Sequence, residues 1–304
     1  MDYKEKKVLS DNVKQLIIDE YGENEANAIF EGMQGRVTTF RINPLKSSCE
    51  ESEAILNANS IDYKKCDWFE YAYIINSGEE NRLRELDIYK QGKIYLQSLS
   101  SMIPAILIEP KEGDNILDMC AAPGGKTTLM SILSNNKALI TACEKNKIRY
   151  DRLLYNIQKQ GAKGINIINQ DSRELSNYFS FDKILLDAPC SGSGTLLESI
   201  DSKGSIDKEY VEKLVKVQRK LLDKAITILK SGGTLIYSTC SIFKEENENN
   251  ISYILNKYNN LRLEAIDIEQ YVNMEILPTK YNETICIKPN EYYEGFFVAK
   301  IIKL

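Results

Sequence analysis

The sequence predicts an α/β fold: a doubly wound, mostly parallel sheet of seven strands, preceded by a smaller α+β region. Three observations carry this. After Pro110, short apolar runs at Asn115–Cys120, Ala138–Glu144, Ile165–Asp171, Lys183–Cys190 and Gly233–Cys240 suit strands buried on both faces. Helical stretches at Lys126–Leu133, Lys145–Gln160 and Lys208–Leu229 separate them, and such β-α alternation implies a parallel sheet with helices on both sides. Before Pro110 that alternation is absent. The chain has 304 residues, a prior for about two domains. The change of pattern divides it into residues 1–110, an N-terminal α+β region, and residues 111–304, the sheet domain.

The elements follow in order. Asn12–Tyr21 and Glu25–Met33 show helical apolar spacing. Arg36–Asn43 reads as a strand stopped by Pro44, whose ring disfavours further regular structure before it. Ser52–Asn59 looks helical. Asp67–Asn76 is aromatic and β-branched, hence strand-like. Leu83–Tyr89 fits either state. Ile94–Gln97 reads as a strand and Ser100–Ile108 as a helix. Beyond the alternating region, Lys244–Asn256 reads as a helix. Glu283–Lys288 and Phe296–Ile302 read as two closing strands in an antiparallel hairpin. The connection Ser191–Asp207 is long, polar and rich in Gly and Ser, as functional loops are.

Composition excludes several chemistries. There is no histidine. Ser-His-Asp triads, Cys-His dyads and His-ligated metals are therefore out, and proton transfer falls to Asp, Glu, Lys, Cys, Tyr or water. Seven cysteines at wide spacing, without a CxxC, predict buried thiols in a reducing compartment rather than disulfides or a zinc site, so no metal is expected. The N-terminal MDYKEKKVLSDN lacks the apolar core of a signal peptide, and no apolar run approaches the roughly 18 residues of a membrane span. A cytoplasmic monomer without membrane contact is expected. Net charge is −5, which alone argues mildly against nucleic acid, but residues 111–230 are net +4.

Four motifs carry chemistry. The first runs from Ile116 to Thr128 at a strand-to-helix junction, where nucleotides bind in this fold class. Gly125-Lys126-Thr127 is not a phosphate-binding P-loop, because Cys120 stands where that motif needs Gly. Ala121, Ala122, Gly124 and Gly125 let the backbone approach a ligand closely. Second, an acid ends each of the next two strands. Glu144 lies 26 residues after Asp118, near the place of an acid on ribose hydroxyls, and Asp171 can accept from an adenine amino group. Two ordered acids with a glycine loop and no phosphate-lysine pattern favour S-adenosylmethionine over ATP. The third and fourth motifs are Asp187–Gly194, with Cys190, and Tyr237–Ser241, with Cys240. If their strands are neighbours, both thiols reach the sheet edge where ligands bind, beside a carboxylate, and are better read as reactive than structural.

The stretches CAAPGGKT (120–127), DAPCSGSG (187–194) and YSTCS (237–241) resemble the RsmB/NOP2/Sun family of S-adenosylmethionine-dependent RNA cytosine-5 methyltransferases. So do Thr39–Lys46, Tyr95–Met102, Gly232–Tyr237, Glu246–Glu248 and Glu294–Lys300; the likeness covers about residues 35–304. It implies a class I, Rossmann-like methyltransferase domain. It implies that Cys120, Ala121, Ala122, Pro123, Gly124, Gly125 and Lys126 wrap the methionine part of S-adenosylmethionine. Glu144 then holds the ribose, Asp171 lies by the adenine, and Asp187 lies near cofactor and target base. Cys240 is the nucleophile, Cys190 assists product release, and Lys126 helps position the base. The residues alone leave open which thiol attacks; a Pro-Cys motif, as in cytosine-5 DNA methyltransferases, would point to Cys190. The YSTCS likeness points to Cys240. The implied partner is RNA, ribosomal RNA first and transfer RNA next, with Arg36, Arg41 and Lys46 as candidates to hold it. The alternatives are a cytosine-5 DNA methyltransferase and a non-catalytic RNA-binding assembly factor. Family members often carry His after the proline before the final strand; here Asn290 follows Pro289.

Overall fold

The structure, a computed structural model, describes residues 11–195 and 206–304. Its centre is a nine-stranded sheet. Strands β5 (Asn115–Asp118), β6 (Leu139–Cys143), β7 (Ile165–Ile168), β8 (Phe181–Asp187) and β9 (Leu229–Thr239) run parallel. The antiparallel β13 (Phe296–Lys303) pairs with β9 and with β12 (Ile285–Ile287), so the closing hairpin forms as expected. All seven expected strands are present. Two short ones, β10 (Leu261–Glu264) and β11 (Ile276–Leu277), extend the sheet beyond that count. Each has at most four residues, too few to show a period.

The strand order is β7-β6-β5-β8-β9 on the parallel side. From β5 the chain winds outward through β6 to β7. It then returns to β8 on the other side of β5. The reversal opens a crevice at the C-terminal ends of β5 and β8, the place where open α/β sheets bind ligands.

Helices cover both faces. One face takes α1 (Asp11–Tyr21), α2 (Glu23–Gly32), α9 (Lys208–Ile228) and α10 (Glu248–Lys257) around Val13, Ile17, Ile29, Leu222 and Ile251. The other takes α6 (Leu99–Leu107) and α7 (Gly125–Leu133) around Met102, Ile103, Leu129 and Ile236. Helix α9 buries Val211, Gln218, Leu221, Leu222, Ala225 and Ile226, a stripe at helical spacing broken by one polar residue, Gln218. Helix α8 (Lys147–Gln160) starts two residues later than its sequence pattern, because Asn146 Oδ1 caps it by accepting from Arg149 N at 3.1 Å. Helix α10 likewise starts only at Glu248, since Glu246 and Asn247 are committed elsewhere.

Residues 38–96 build a second, antiparallel sheet in the order β2-β3-β1-β4, from β1 (Thr38–Ile42), β2 (Tyr63–Lys65), β3 (Ala72–Ile75) and β4 (Ile94–Leu96). Strand β2 escaped the sequence reading because Tyr63-Lys64-Lys65 is a largely exposed edge without apolar alternation. The expected strand Asp67–Asn76 is ordered as a strand only from Ala72. Leu83–Tyr89 resolves into two short helices, α4 (Glu80–Glu85) and α5 (Asp87–Lys90), broken at the extended Leu86. Among the described residues no helix is long and apolar enough to cross a membrane. Much of the Ser191–Asp207 connection, residues 196–205, lies outside the described residues.

Candidate active site

The crevice is floored by Asp118, the last residue of β5. Its Oδ2 accepts from Thr127 Oγ1 at 2.7 Å, while its Oδ1 is buried with no partner. Burial pushes this carboxyl up to about 6; the Thr127 hydrogen bond opposes that shift and the Asp187 charge adds to it. The loop Met119–Gly124 then turns into α7. Gly124 has φ +108°, and a Cβ there would meet the Leu153 side chain at 3.0 Å, so only glycine fits. The loop is pinned from β6, where Ala121 N donates to Cys143 O at 2.9 Å, and from α8, where Arg149 Nη2 donates to Ala122 O at 2.6 Å.

The two expected acids lie on successive strand ends. Glu144 is buried; it accepts from Asn146 N at 2.8 Å and pairs with Arg149 at 3.3 Å. Asp171 accepts from Arg173 Nε at 2.9 Å and Nη2 at 2.6 Å, and these bonds, opposed by burial, hold its carboxyl below the usual range. A carboxylate has about four lone-pair sites, so both acids keep acceptor capacity for a ligand. The sequence reading did not find Arg149 or Arg173, because an arginine at a helix start carries no motif.

Asp187 ends β8 and meets Lys126 across the crevice at 2.8 Å. Its other oxygen accepts from Ser238 Oγ at 2.8 Å. Lys126 Nζ also donates to Ser101 Oγ at 2.8 Å and lies 5.4 Å from the Phe296 ring centre. Burial alone would lower this ammonium, but the Asp187 charge and hydrogen bond outweigh it and raise it. Lys126 is thus a fixed cation.

Strands β8 and β9 are neighbours, with Asp187 opposite Ser238. Their C-terminal loops bring the Cys190 and Cys240 sulfurs to 3.0 Å, both free thiols. The hydrogen bond with Cys240, then burial, pushes the Cys190 thiol well above its ordinary value. The Cys240 sulfur lies within electrostatic reach of Lys126. Gly194 closes the Cys190 loop: its N donates to Cys240 O at 3.0 Å, and a Cβ there would collide with Gly295 O at 2.0 Å. Burial raises the other five thiols, Cys49, Cys66, Cys120, Cys143 and Cys286.

The unpartnered Asp118 oxygen, a glycine-lined loop and two more acids suit an adenosine bearing a cationic sulfur; they would repel a triphosphate. Among the described residues no group of three or more Cys, Asp or Glu is placed to hold a metal ion.

Residues 105–302 match the family described as 16S rRNA methyltransferase RsmB/F. The chain belongs to this family. Ribosomal RNA small subunit methyltransferase F of Shewanella oneidensis is 32% identical over 270 residues, covering 87% of this chain and 57% of that protein. The tRNA (cytosine(72)-C(5))-methyltransferase of Pyrococcus horikoshii is 37% identical over 224 residues, covering 73% of this chain and 55% of that protein. The chain thus spans little more than half the length of these curated relatives. A solved methyltransferase homolog protein from Pyrococcus horikoshii superposes with TM-score 0.80 at 29% identity, covering 97% of this chain and all of the other. NSun6 from the same organism, solved with SFG, superposes with TM-score 0.85 at 24% identity, covering 98% and 99%, and shows the shared fold.

In this RsmB/F-family chain the three basic residues expected to hold RNA all have partners within the chain, and of the three only Arg41 is buried. Arg41 is fully buried, its Nε donating to Gln97 Oε1 at 2.9 Å and its Nη2 to Thr128 Oγ1 at 2.8 Å, with the Tyr95 ring 4.9 Å away. The expectation for Arg41 is therefore corrected: β1 turns it inward against α7. Lys46 Nζ donates to Gln91 O and Lys159 O at 3.0 and 2.7 Å, tying the small sheet to α8. Arg36 pairs with Glu294 at 2.6 Å. Asn290, where the family resemblance leads one to expect His, accepts from Tyr292 N and Tyr293 N and so shapes the turn into β13.

Proposed function

We propose that this RsmB/F-family chain transfers a methyl group from S-adenosylmethionine to carbon 5 of a cytosine in RNA, ribosomal RNA first and transfer RNA next. The observation that carries this reading is the meeting of Cys190 and Cys240 at 3.0 Å, beside the Lys126–Asp187 pair and the β5 loop. The same reading makes residues 1–110 the RNA-positioning part and residues 111–304 the catalytic part of a cytoplasmic monomer.

Residues 120–126 would hold the methionine end of the cofactor, Glu144 the ribose and Asp171 the adenine. When bound, S-adenosylmethionine supplies an electrophilic methyl group. The chain's own residues do the rest. Of the paired thiols, Cys190 is the more buried and Cys240 the more exposed, so Cys240 attacks. Its sulfur bonds to carbon 6 of the base, and the ring's electrons make carbon 5 nucleophilic. Asp187, fixed by Lys126 and Ser238, would accept from the amino group of the base, while the Lys126 ammonium offsets the negative charge that develops on the ring. Once carbon 5 has gained its methyl and lost its proton to water, the carbon–sulfur bond breaks and Cys240 leaves, assisted by Cys190. The target base must leave its stack to reach the crevice.

Bisulfite sequencing of RNA from a strain lacking this protein tests the reading. Loss of one or a few cytosine marks supports it. Unchanged RNA with altered DNA methylation supports the DNA alternative, and no change in either supports a non-catalytic role.

A further inference from the structure

We propose that Glu246 is a positioning residue that sets the distance between the two active-site thiols, acting as a bracket across their loops. Nothing in the roles above uses it; the inference rests on the reading of Cys190 and Cys240 as the reacting pair.

Glu246 is fully buried, and no cation pairs with it among the described residues. A buried carboxylate without a counter-ion is costly and persists only where hydrogen bonds satisfy it. Three do. Its Oε1 accepts from Ser191 N and Gln218 Nε2, both at 2.9 Å, and its Oε2 accepts from Ser191 Oγ at 2.5 Å. Ser191 follows Cys190 directly, so the carboxylate grips the Cys190 loop by main chain and side chain together.

The other jaw is Asn247. Its Nδ2 donates to Ser241 O at 2.8 Å, and its Oδ1 accepts from Thr239 Oγ1 at 2.6 Å. Those two residues flank Cys240. Adjacent residues thus hold the neighbours of both thiols. The main chain between them is fixed as well: Tyr237 OH donates to Glu246 O at 2.6 Å.

This explains the polar break in α9. Gln218 also donates to Pro189 O at 3.0 Å, and its Oε1 accepts from Asn250 Nδ2 at 2.8 Å. It aims one amide group at both the bracket and the residue before Cys190. A carboxyl group serves here because its two oxygens offer up to four acceptor sites. An alanine at 246 would leave Ser191 N without its acceptor and Gln218 Nε2 with Pro189 O alone, and so loosen the Cys190 loop.

The test uses the purified protein and reads thiol geometry separately from methyl transfer. Diamide oxidises two thiols to a disulfide and is itself reduced to the hydrazine, so the rate of Cys190–Cys240 cross-linking reports their approach. Glu246→Ala should cross-link on the order of tenfold more slowly. In methylation assays it should lose kcat on the order of a hundredfold, with KM for RNA and cofactor unchanged. Glu246→Gln, which keeps one carbonyl acceptor, should restore most of both. Should Glu246→Ala fail to fold, Gln218→Met, which removes a single donor, should give an intermediate loss of cross-linking rate. Wild-type cross-linking rates in Glu246→Ala, or in Gln218→Met where that is the variant that folds, would overturn the proposal. A wild-type protein that cross-links but never methylates RNA would instead overturn the catalytic reading and leave the bracket standing.

Discussion

Cys190 and Cys240 stand 50 residues apart in the chain, yet their sulfurs lie 3.0 Å from each other. Parallel pairing of β8 with β9 carries both loops to one sheet edge. The pair is asymmetric: Cys190 is the more buried and holds its proton, whereas Cys240 is half-buried.

That asymmetry predicts opposite effects of the two alanine variants. Cys240→Ala should abolish methyl transfer and leave no covalent RNA–protein adduct on a denaturing gel. Cys190→Ala should accumulate the adduct, because attack survives and release does not. An adduct formed by Cys240→Ala would reverse the assignment.

Selective alkylation checks the thiols without substrate. Burial raises Cys143 to about 12 and lifts Cys120 and Cys286 too, and a thiol reacts only as the thiolate. Brief iodoacetamide treatment at pH 8 should label Cys240 first by peptide mass spectrometry. Those three should stay unlabelled until the protein is denatured.

Lys126 should matter through its charge and its position together. Lys126→Met leaves Asp187 facing the crevice without its partner and should lower methyl transfer about a hundredfold. Lys126→Arg should not restore it, since the guanidinium cannot reproduce the 2.8 Å contacts to both Asp187 and Ser101 from the same place. A fully active Lys126→Met would remove the pair from the mechanism.

Arg41 should affect stability and not RNA binding. Truncation to Ala leaves a cavity and unpaired acceptors against α7, a loss of about 2–4 kcal/mol by denaturant unfolding. The salt dependence of RNA affinity should be unchanged, because a buried guanidinium displaces no counter-ion from phosphate.

Glu20 predicts a pH effect at the docking of α1. Burial pushes its carboxyl up to about 8, the charges of Glu245 and Glu248 add to this, and the hydrogen bond from Lys244 N at 2.7 Å opposes it. The folded protein then binds a proton that the unfolded chain has released above its ordinary value near 4.5. Stability should therefore fall as pH rises from about 4.5 to about 8. Glu20→Gln should flatten that part of a melting-temperature profile and be the more stable form at pH 8.

Sequence alone determined the local chemistry. Apolar runs alternating with helical stretches encoded the β-α order, since burial on both faces leaves a readable composition. The glycine loop, Glu144, Asp171, Asp187 and the two cysteines were legible because each sits where a strand ends. The tertiary structure decided what meets. Arg41 reads as a candidate to hold RNA, but side-chain direction on a short strand follows from what packs against it, and Arg41 is buried. Glu246 lies in a stretch that resembles the family but carries no role from it, and Gln218 reads as an ordinary polar residue of a helical segment. Only the folding of α9 and the turn before α10 against the β8 and β9 loops makes them partners. Even the absence of histidine took its meaning there. Without an imidazole, the site has two thiols, a lysine and a carboxylate to work with, and long-range packing brings them together.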